Sequence, residues 1–301
     1  MLVIAVLPIF GVWLLEKLIK FAPDYIHATD LHTVFVALLY RTLNRRTMVV
    51  YDMFDVLSVF WRGKRLLYTV IRSLEIGAFR HANGVIATSP ERLALFTSLG
   101  QTNTAIVPNY PQFRLKQNFR HSVGPLLIRY AGGIGDPFLT QQLLASCRGN
   151  MEVRLELAGR LVGNATHLRA AITDGHAEYK GILSHSEAMD FVGGADVIPV
   201  LYDSSLSLLV SSQKLLEAIM LGVPVVTNVC KDLVLTEDCG LFVRDANPEN
   251  LRAAFHFLAT NPSARHRMAE NGRNSARKQY NWEAVVEEIT SLYRRLQAQI
   301  R

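Results

Sequence analysis

The 301-residue chain is short of cysteine, short of charge and without a long uninterrupted apolar run, and each shortage removes a class of protein. Its three cysteines, Cys147, Cys230 and Cys239, are scattered, with no C-x-x-C spacing and no histidine partner pattern. They frame neither a disulfide scaffold nor a zinc site, and they read as small buried apolar residues in a reducing cytoplasm. A membrane-spanning helix needs about 20 apolar residues. Residues 1–21 (MLVIAVLPIFGVWLLEKLIKF) stay apolar for fifteen, interrupted by Pro8 and Gly11, and then carry Glu16, Lys17 and Lys20. No basic region precedes this run and no A-x-A site follows it, so a secretory leader is not expected. A helix packed on a sheet and an interfacial membrane helix both remain open for it.

Charged residues make up only 19% of the chain, and they are unevenly placed. Residues 1–120 hold 14 Lys and Arg against 7 Asp and Glu, a balance of +7, whereas residues 121–301 hold 18 against 19, a balance of −1. Basic residues cluster at Arg41, Arg45 and Arg46, and again at Arg62, Lys64 and Arg65 beside Phe60 and Trp61. Such asymmetry suggests an anionic surface as partner, and phospholipid headgroups are the first choice, against a merely solvated basic face. No nucleic-acid recognition motif accompanies the charge, so nucleic acid is not expected.

What is present is alternation. Val- and Ile-rich segments at 24–28, 47–51, 84–88 and 104–107 are separated by helical patterns at 33–43, 66–79 and 91–99. A second series of strands follows at about 126–131, 153–158, 178–181, 197–201, 224–228 and 240–243. Buried strands alternating with helices predict parallel α/β sheets. The polar run after Asn109-Tyr110-Pro111 predicts a hinge, dividing the chain into domains 1–118 and 119–301. Ser184-His185-Ser186-Glu187 is a capping box opening a helix, and 283–301 reads as one amphipathic helix.

The densest motif is Ser211-Ser212-Gln213-Lys214-Leu215-Leu216-Glu217-Ala218, running on to Gly222-Val223-Pro224-Val225-Val226. It reads as a helix opened by serines and stopped by glycine, followed by a strand. The free N–H groups at Ser211 and Ser212 favour a phosphate. Glu217 lies about 7.5 Å further along the axis, roughly the separation of a diphosphate from ribose hydroxyls. Together with Cys239-Gly240-Leu241-Phe242-Val243, Asn281-Trp282-Glu283, Tyr25-Ile26-His27, Val85-Ile86-Ala87-Thr88-Ser89 and Val107-Pro108-Asn109, this motif resembles the group 1 retaining glycosyltransferases, in the same order along nearly the whole chain.

That resemblance implies a GT-B-like fold: two Rossmann-like doubly wound parallel-sheet domains facing across a cleft, with helix 283–301 crossing back to the first. It also implies an incomplete N-terminal domain, since no glycine-rich strand–turn precedes Asp24. The implied activity is transfer of a sugar from a nucleotide-sugar donor to a lipid-linked or polysaccharide acceptor with retention, in envelope or capsule synthesis. Such an enzyme would be cytoplasmic, peripheral to the membrane, and without a required metal or cofactor.

Glu217 would hold the ribose and Lys214 would neutralise the diphosphate. Gly132 and Gly133, Arg160, Leu183, Ser211 and Ser212 complete the donor side, and Asp30, His27, Asp52 and Asp55 serve the catalytic and acceptor side. His185 is read as a capping-region residue rather than a ligand. Departures from the pattern, Leu209 for a glutamate and Thr29 for a second histidine, keep alternatives open. These are a catalytically silent or split subunit that binds nucleotide or a partner chain, a homo-oligomer, and a nucleotide-sugar epimerase.

Overall fold

The computed structural model describes residues 2–111, 124–135, 138–162, 166–203 and 213–299. The chain forms two compact units, Met1–Asn109 with Val285–Arg301, and Tyr110–Ala284.

In the first unit, helix α1 (Leu2–Phe21) leads into strand β1 (Tyr25–Thr29), α2 (Asp30–Leu43), β2 (Met48–Met53), α3 (Arg65–His81), β3 (Gly84–Ala87), the short α4 (Pro90–Ala94) and β4 (Thr104–Ile106). The four strands pair in parallel in the order β1-β2-β3-β4. All four residues of β3 are buried, as strands covered on both faces require. Among the described residues β1 pairs only with β2, so its outer side is an edge.

The last helix returns to this unit. Its residues Leu292 and Leu296 are fully buried, and a Cβ placed on Gly84 would stand 3.2 Å from a methyl of each. Gly84 is therefore the close-packing point between sheet and helix. Glu75 of α3 is 1% exposed and accepts from the Ser58 backbone N–H (2.9 Å) and hydroxyl (2.7 Å), binding the turn Leu57–Trp61 to the helix.

The second unit holds β5 (Leu126–Ala131), α5 (Thr140–Cys147), β6 (Val153–Ala158), α6 (Thr166–Thr173), β7 (Glu178–Tyr179), α7 (His185–Gly193), β8 (Ile198–Val200), α8 (Gln213–Leu221), β9 (Val225–Thr227), α9 (Lys231–Thr236), β10 (Gly240–Phe242), α10 (Pro248–Thr260) and α11 (Pro262–Lys278). Helix α12 (Trp282–Ala298) closes the chain. Two parallel ladders, β5-β6-β7 and β8-β9-β10, meet through a parallel bridge between Ile128 and Val197. The Asp196 N–H donates to Leu127 O (2.9 Å), and its carboxylate accepts from the Leu127 N–H (2.8 Å). The resulting order, β7-β6-β5-β8-β9-β10, is doubly wound, and the winding reverses between β5 and β8. In such sheets ligands bind outside the carboxyl ends of the strands at that reversal.

The structure moves the bounds of several predicted elements. The helix expected over 33–43 begins at Asp30, whose φ of +66° turns the chain abruptly out of β1. The helix expected over 91–99 ends at Ala94, and a single turn, Thr97–Leu99, follows. Strand β7 stops at Tyr179 rather than 181, because Gly181 takes φ +79°. The terminal helix runs Trp282–Ala298 against an expected 283–301.

Candidate functional site

The reversal point of the second unit is built from backbone in close contact. After β5 the chain enters Gly132-Gly133-Ile134-Gly135, with Gly132 at φ +150° and its N–H donating to Ala158 O (2.9 Å). Gly159, at φ +129°, lies so near that a Cβ on it would stand 1.9 Å from Gly132 O. The turns after β5 and β6 therefore touch main chain to main chain, which only glycine permits. Ile134 donates to Arg160 O (2.9 Å) and accepts from the Val162 N–H (2.8 Å), prolonging the ladder past the strands. The Tyr130 hydroxyl donates to Gly133 O (2.7 Å) and holds the turn from below.

Lys214, in the first turn of α8, lies across this turn. A Cβ on Gly132 would meet Lys214 Cε at 2.4 Å and Nζ at 2.9 Å. The ammonium stands 5.8 Å from the Phe138 ring centroid, within cation–π range. Burial pushes its pKa below the ordinary lysine value, while the charge of Glu217 works the other way. Glu217 sits three residues on, on the same helix face. Gln213 Nε2 donates to its Oε1 at 3.2 Å. Burial raises its pKa, and the charges of His185 and Lys214 together with the Gln213 hydrogen bond lower it. A half-buried cation on the glycine turn and a half-buried carboxylate one helical turn further on therefore share a helix face without forming an ion pair within 4 Å.

His185 enters from α7. Ser184 caps that helix, accepting from the Glu187 N–H (3.4 Å), while Glu187 accepts from the Ser184 N–H (2.8 Å); the predicted capping box is present. His185 is the first helical residue and its charge bears on Glu217, so it is closer to the donor side than its capping position suggested. Leu183 is half-buried just before it, and the Arg160 side chain is exposed. Ser211, Ser212 and Leu209 lie outside the described residues.

Side chains that sequence reasoning did not single out complete the site. Asn228 clasps the backbone after β8, accepting from the Tyr202 N–H (3.0 Å) and donating to Tyr202 O (2.7 Å). Tyr202 in turn meets Phe138 edge-on at 5.7 Å. Asparagine after a Val-rich strand was the one visible sign of such a clasp.

In the first unit the strands β1, β2 and β3 bring a second group of polar residues to or near their carboxyl ends. His27 Nε2 stands 3.0 Å from Asp52 Oδ2, and His27 Nδ1 stands 2.8 Å from the Tyr293 hydroxyl of α12. Asp55 pairs with Arg92 (3.2 Å), which also donates to Thr88 Oγ1 (2.6 Å) and to Phe54 O. Asp30 has its pKa raised, by burial first and then by the charges of Asp55 and Asp52, with His32 opposing. Its left-handed backbone is uncommon for a residue other than glycine, and such geometry concentrates at functional positions. Asp30, predicted as catalytic, and His27, Asp52 and Asp55, predicted on the acceptor side, thus gather at or near one end of one sheet. Among the described residues no group of three or more His, Cys, Asp or Glu side chains gathers in metal-binding geometry. None of the described helices is long and apolar enough to cross a membrane.

The profile of the glycosyl transferase-like family matches residues 140–291, half of the chain. No curated protein sequence matches. Among solved structures, sucrose-phosphate synthase from Thermosynechococcus elongatus superposes with a TM-score of 0.76 at 19% identity, over 97% of this chain and 78% of that one. Anabaena Alr3699/HepE in complex with UDP gives 0.75 at 16%, over 95% and 82%. WaaG, a glycosyltransferase involved in lipopolysaccharide biosynthesis, gives 0.62 at 16%, over 87% and 81%. At these identities the likeness shows the fold, which is GT-B-like with parallel sheets, as the sequence resemblance implied. Fold, motif order and family profile agree, and the chain belongs to the glycosyl transferase-like family.

Proposed function

We propose that the protein transfers a sugar from a nucleotide-sugar donor to a lipid-linked or polysaccharide acceptor, with retention at the anomeric carbon, in the synthesis of an envelope or capsule glycan. The observation that carries the donor side is Lys214 lying across Gly132 at the strand reversal of the second unit, with Glu217 three residues away. A diphosphate laid on the glycine turn meets main chain that carries no side chains of its own, the Lys214 cation lying across it and Arg160 exposed beside it. Glu217, as a carboxylate, accepts from the ribose hydroxyls. Leu183 and the loop around it offer main-chain groups to the base, and the stretch holding Ser211 and Ser212 joins the phosphate side.

In the reaction the bond from the anomeric carbon to the diphosphate oxygen breaks, a bond to the acceptor oxygen forms, and the acceptor hydroxyl's proton passes to the departing nucleoside diphosphate. The burden is charge stabilisation of the departing diphosphate and positioning of the acceptor. The residues of this chain supply the charge, with no resident metal. In the first unit, Asp30, His27, Asp52 and Asp55 are assigned to the acceptor hydroxyl. An anionic membrane surface is the proposed partner and a peripheral cytoplasmic position the proposed location, both from the +7 balance of residues 1–120.

The test is a donor panel of UDP-, GDP- and ADP-sugars with membrane extract as acceptor source, with and without EDTA. The product linkage is read by NMR. The proposal expects one nucleotide to support transfer, EDTA to leave the rate unchanged, and the donor's anomeric configuration to persist. An inverted product would remove the retaining assignment. A second reading, a silent or split subunit, is favoured by the edge at β1; it expects nucleotide binding with no transfer.

A further inference from the structure

In the first unit, α1, α2 and α3 each run into the strand that follows them, so all three end beside the strand starts. This topology brings Lys17 and Lys20 of α1, Arg41 of α2, Arg45 just after it and Arg80 of α3 to one end of the sheet, opposite His27, Asp30 and Asp52. Between α2 and α3 that end opens into a groove of about 900 Å³, where Phe35, Leu38 and Leu39 adjoin Arg41, Arg45 and Arg80. Arg41 gives one N–H to His81 O at 2.7 Å. The Arg45 and Arg80 side chains are exposed, and among the described residues no carboxylate pairs with either. Beside these cations Phe21 is 80% exposed, Leu43 66% and Leu39 53%.

A cation near each helix C-terminus is favourable in itself through the helix dipole, and that explains one basic residue per helix. It does not explain large apolar side chains left in water next to unpaired arginines. Exposed apolar clusters mark interaction surfaces, and cations interleaved with them fit an interface whose outer layer is phosphate and whose next layer is hydrocarbon. A protein partner would have to match this particular pattern of cations and apolar side chains at one patch. A bilayer supplies both layers everywhere on its surface.

We propose that this end of the first unit docks on an anionic phospholipid leaflet, with Arg41, Arg45 and Arg80 over headgroup phosphates and Phe21, Leu39 and Leu43 entering the interfacial layer. The proposal deepens the membrane partner in the reading above, and it stands apart from sugar transfer because docking needs neither donor nor acceptor. It has a chemical consequence. His27 is the third of five residues in β1 and Asp52 the fifth of six in β2, so at ~3.3 Å per residue they lie about 7 and about 13 Å beyond the strand starts. A lipid-linked acceptor must then present its hydroxyl beyond the headgroup rather than at it.

The experiment is flotation of the full chain with vesicles of phosphatidylcholine alone and of phosphatidylcholine with phosphatidylglycerol, at low and raised salt. The expected result is binding only to the anionic vesicles, released by salt. Arg45→Glu with Arg80→Glu should weaken binding on the order of 30-fold or more, at roughly 1 kcal/mol per neutralised arginine. Leu39→Ser with Leu43→Ser should weaken it by a factor that salt does not change. Arg169→Glu, an exposed position of α6 in the other unit, should leave binding intact. Circular dichroism and thermal unfolding check that each variant is folded. Absence of binding to anionic vesicles at low salt would overturn the proposal. So would an equal loss in Arg169→Glu, or Arg45- and Arg80-dependent capture of a short RNA with none of vesicles.

Discussion

At the residue scale the turns after β5 and β6 depend on what is missing from two glycines, Gly132 and Gly159. A methyl on Gly159 would drive into Gly132 O, and the residue's φ of +129° is one that side chains rarely adopt. Gly159→Ala should therefore cost about 1–3 kcal/mol of stability by thermal unfolding, before any effect on ligand is counted. Gly132→Ala displaces Lys214 instead, a flexible side chain, and should cost more in nucleotide affinity than in stability. The two titrating groups define a pH window. Burial raises the Glu217 pKa, so on acidification it takes up its proton sooner than an ordinary glutamate and loses the carboxylate on which its proposed ribose contact depends. Burial lowers the Lys214 pKa, so on alkalinisation it loses its charge sooner than an ordinary lysine. Nucleotide affinity measured from about pH 5 to about pH 10 should fall at both ends, and Glu217→Gln should remove the acid limb alone.

At the element scale the strands carry the fold, and most were legible. Buried parallel strands write themselves as Val/Ile runs, so 126–131 and 153–158 could be placed to the residue. Contacts that sequence distance hides were not legible. His27 meets Tyr293 across 266 residues, and nothing local to either announces the other. Asp30 was read as a site residue at the end of a strand, but its left-handed backbone and its place as the first residue of the helix were not legible. His185 was legible as a capping-region residue but not as a neighbour of Glu217, because that proximity depends on where α7 and α8 pack. The buried carboxylate of Glu75 was equally silent in the sequence. It satisfies both polar groups of Ser58, so Glu75→Ala should leave them unpaired and cost about 1–3 kcal/mol, read as a lowered midpoint in urea.

At the scale of the whole molecule two distributions matter. Thiols are few and mostly buried: burial pushes Cys147 and Cys239 each up to about 12. A thiol whose folded pKa lies above its unfolded value stabilises the fold below the unfolded pKa, and that contribution disappears as pH rises through the folded one. Stability should hold to about pH 9 and fall towards pH 12. At pH 8 a thiol reagent should label half-buried Cys230 ahead of the other two. The second distribution is charge, with the basic excess confined to residues 1–120 while the donor residues lie in the near-neutral remainder. That separation allows a surface-binding function and a nucleotide-binding function to be tested independently.

The central claim is that the glycine turn, Lys214 and Glu217 form a nucleotide site, and calorimetric titration of UDP into the full chain and into Glu217→Gln tests it most directly. Saturable binding to the first, weakened roughly tenfold or more in the second as loss of a charge-assisted hydrogen bond requires, is the predicted result. Equal affinity in the two folded proteins would contradict the role given to Glu217. Absence of binding by UDP, GDP and ADP alike would contradict the site itself.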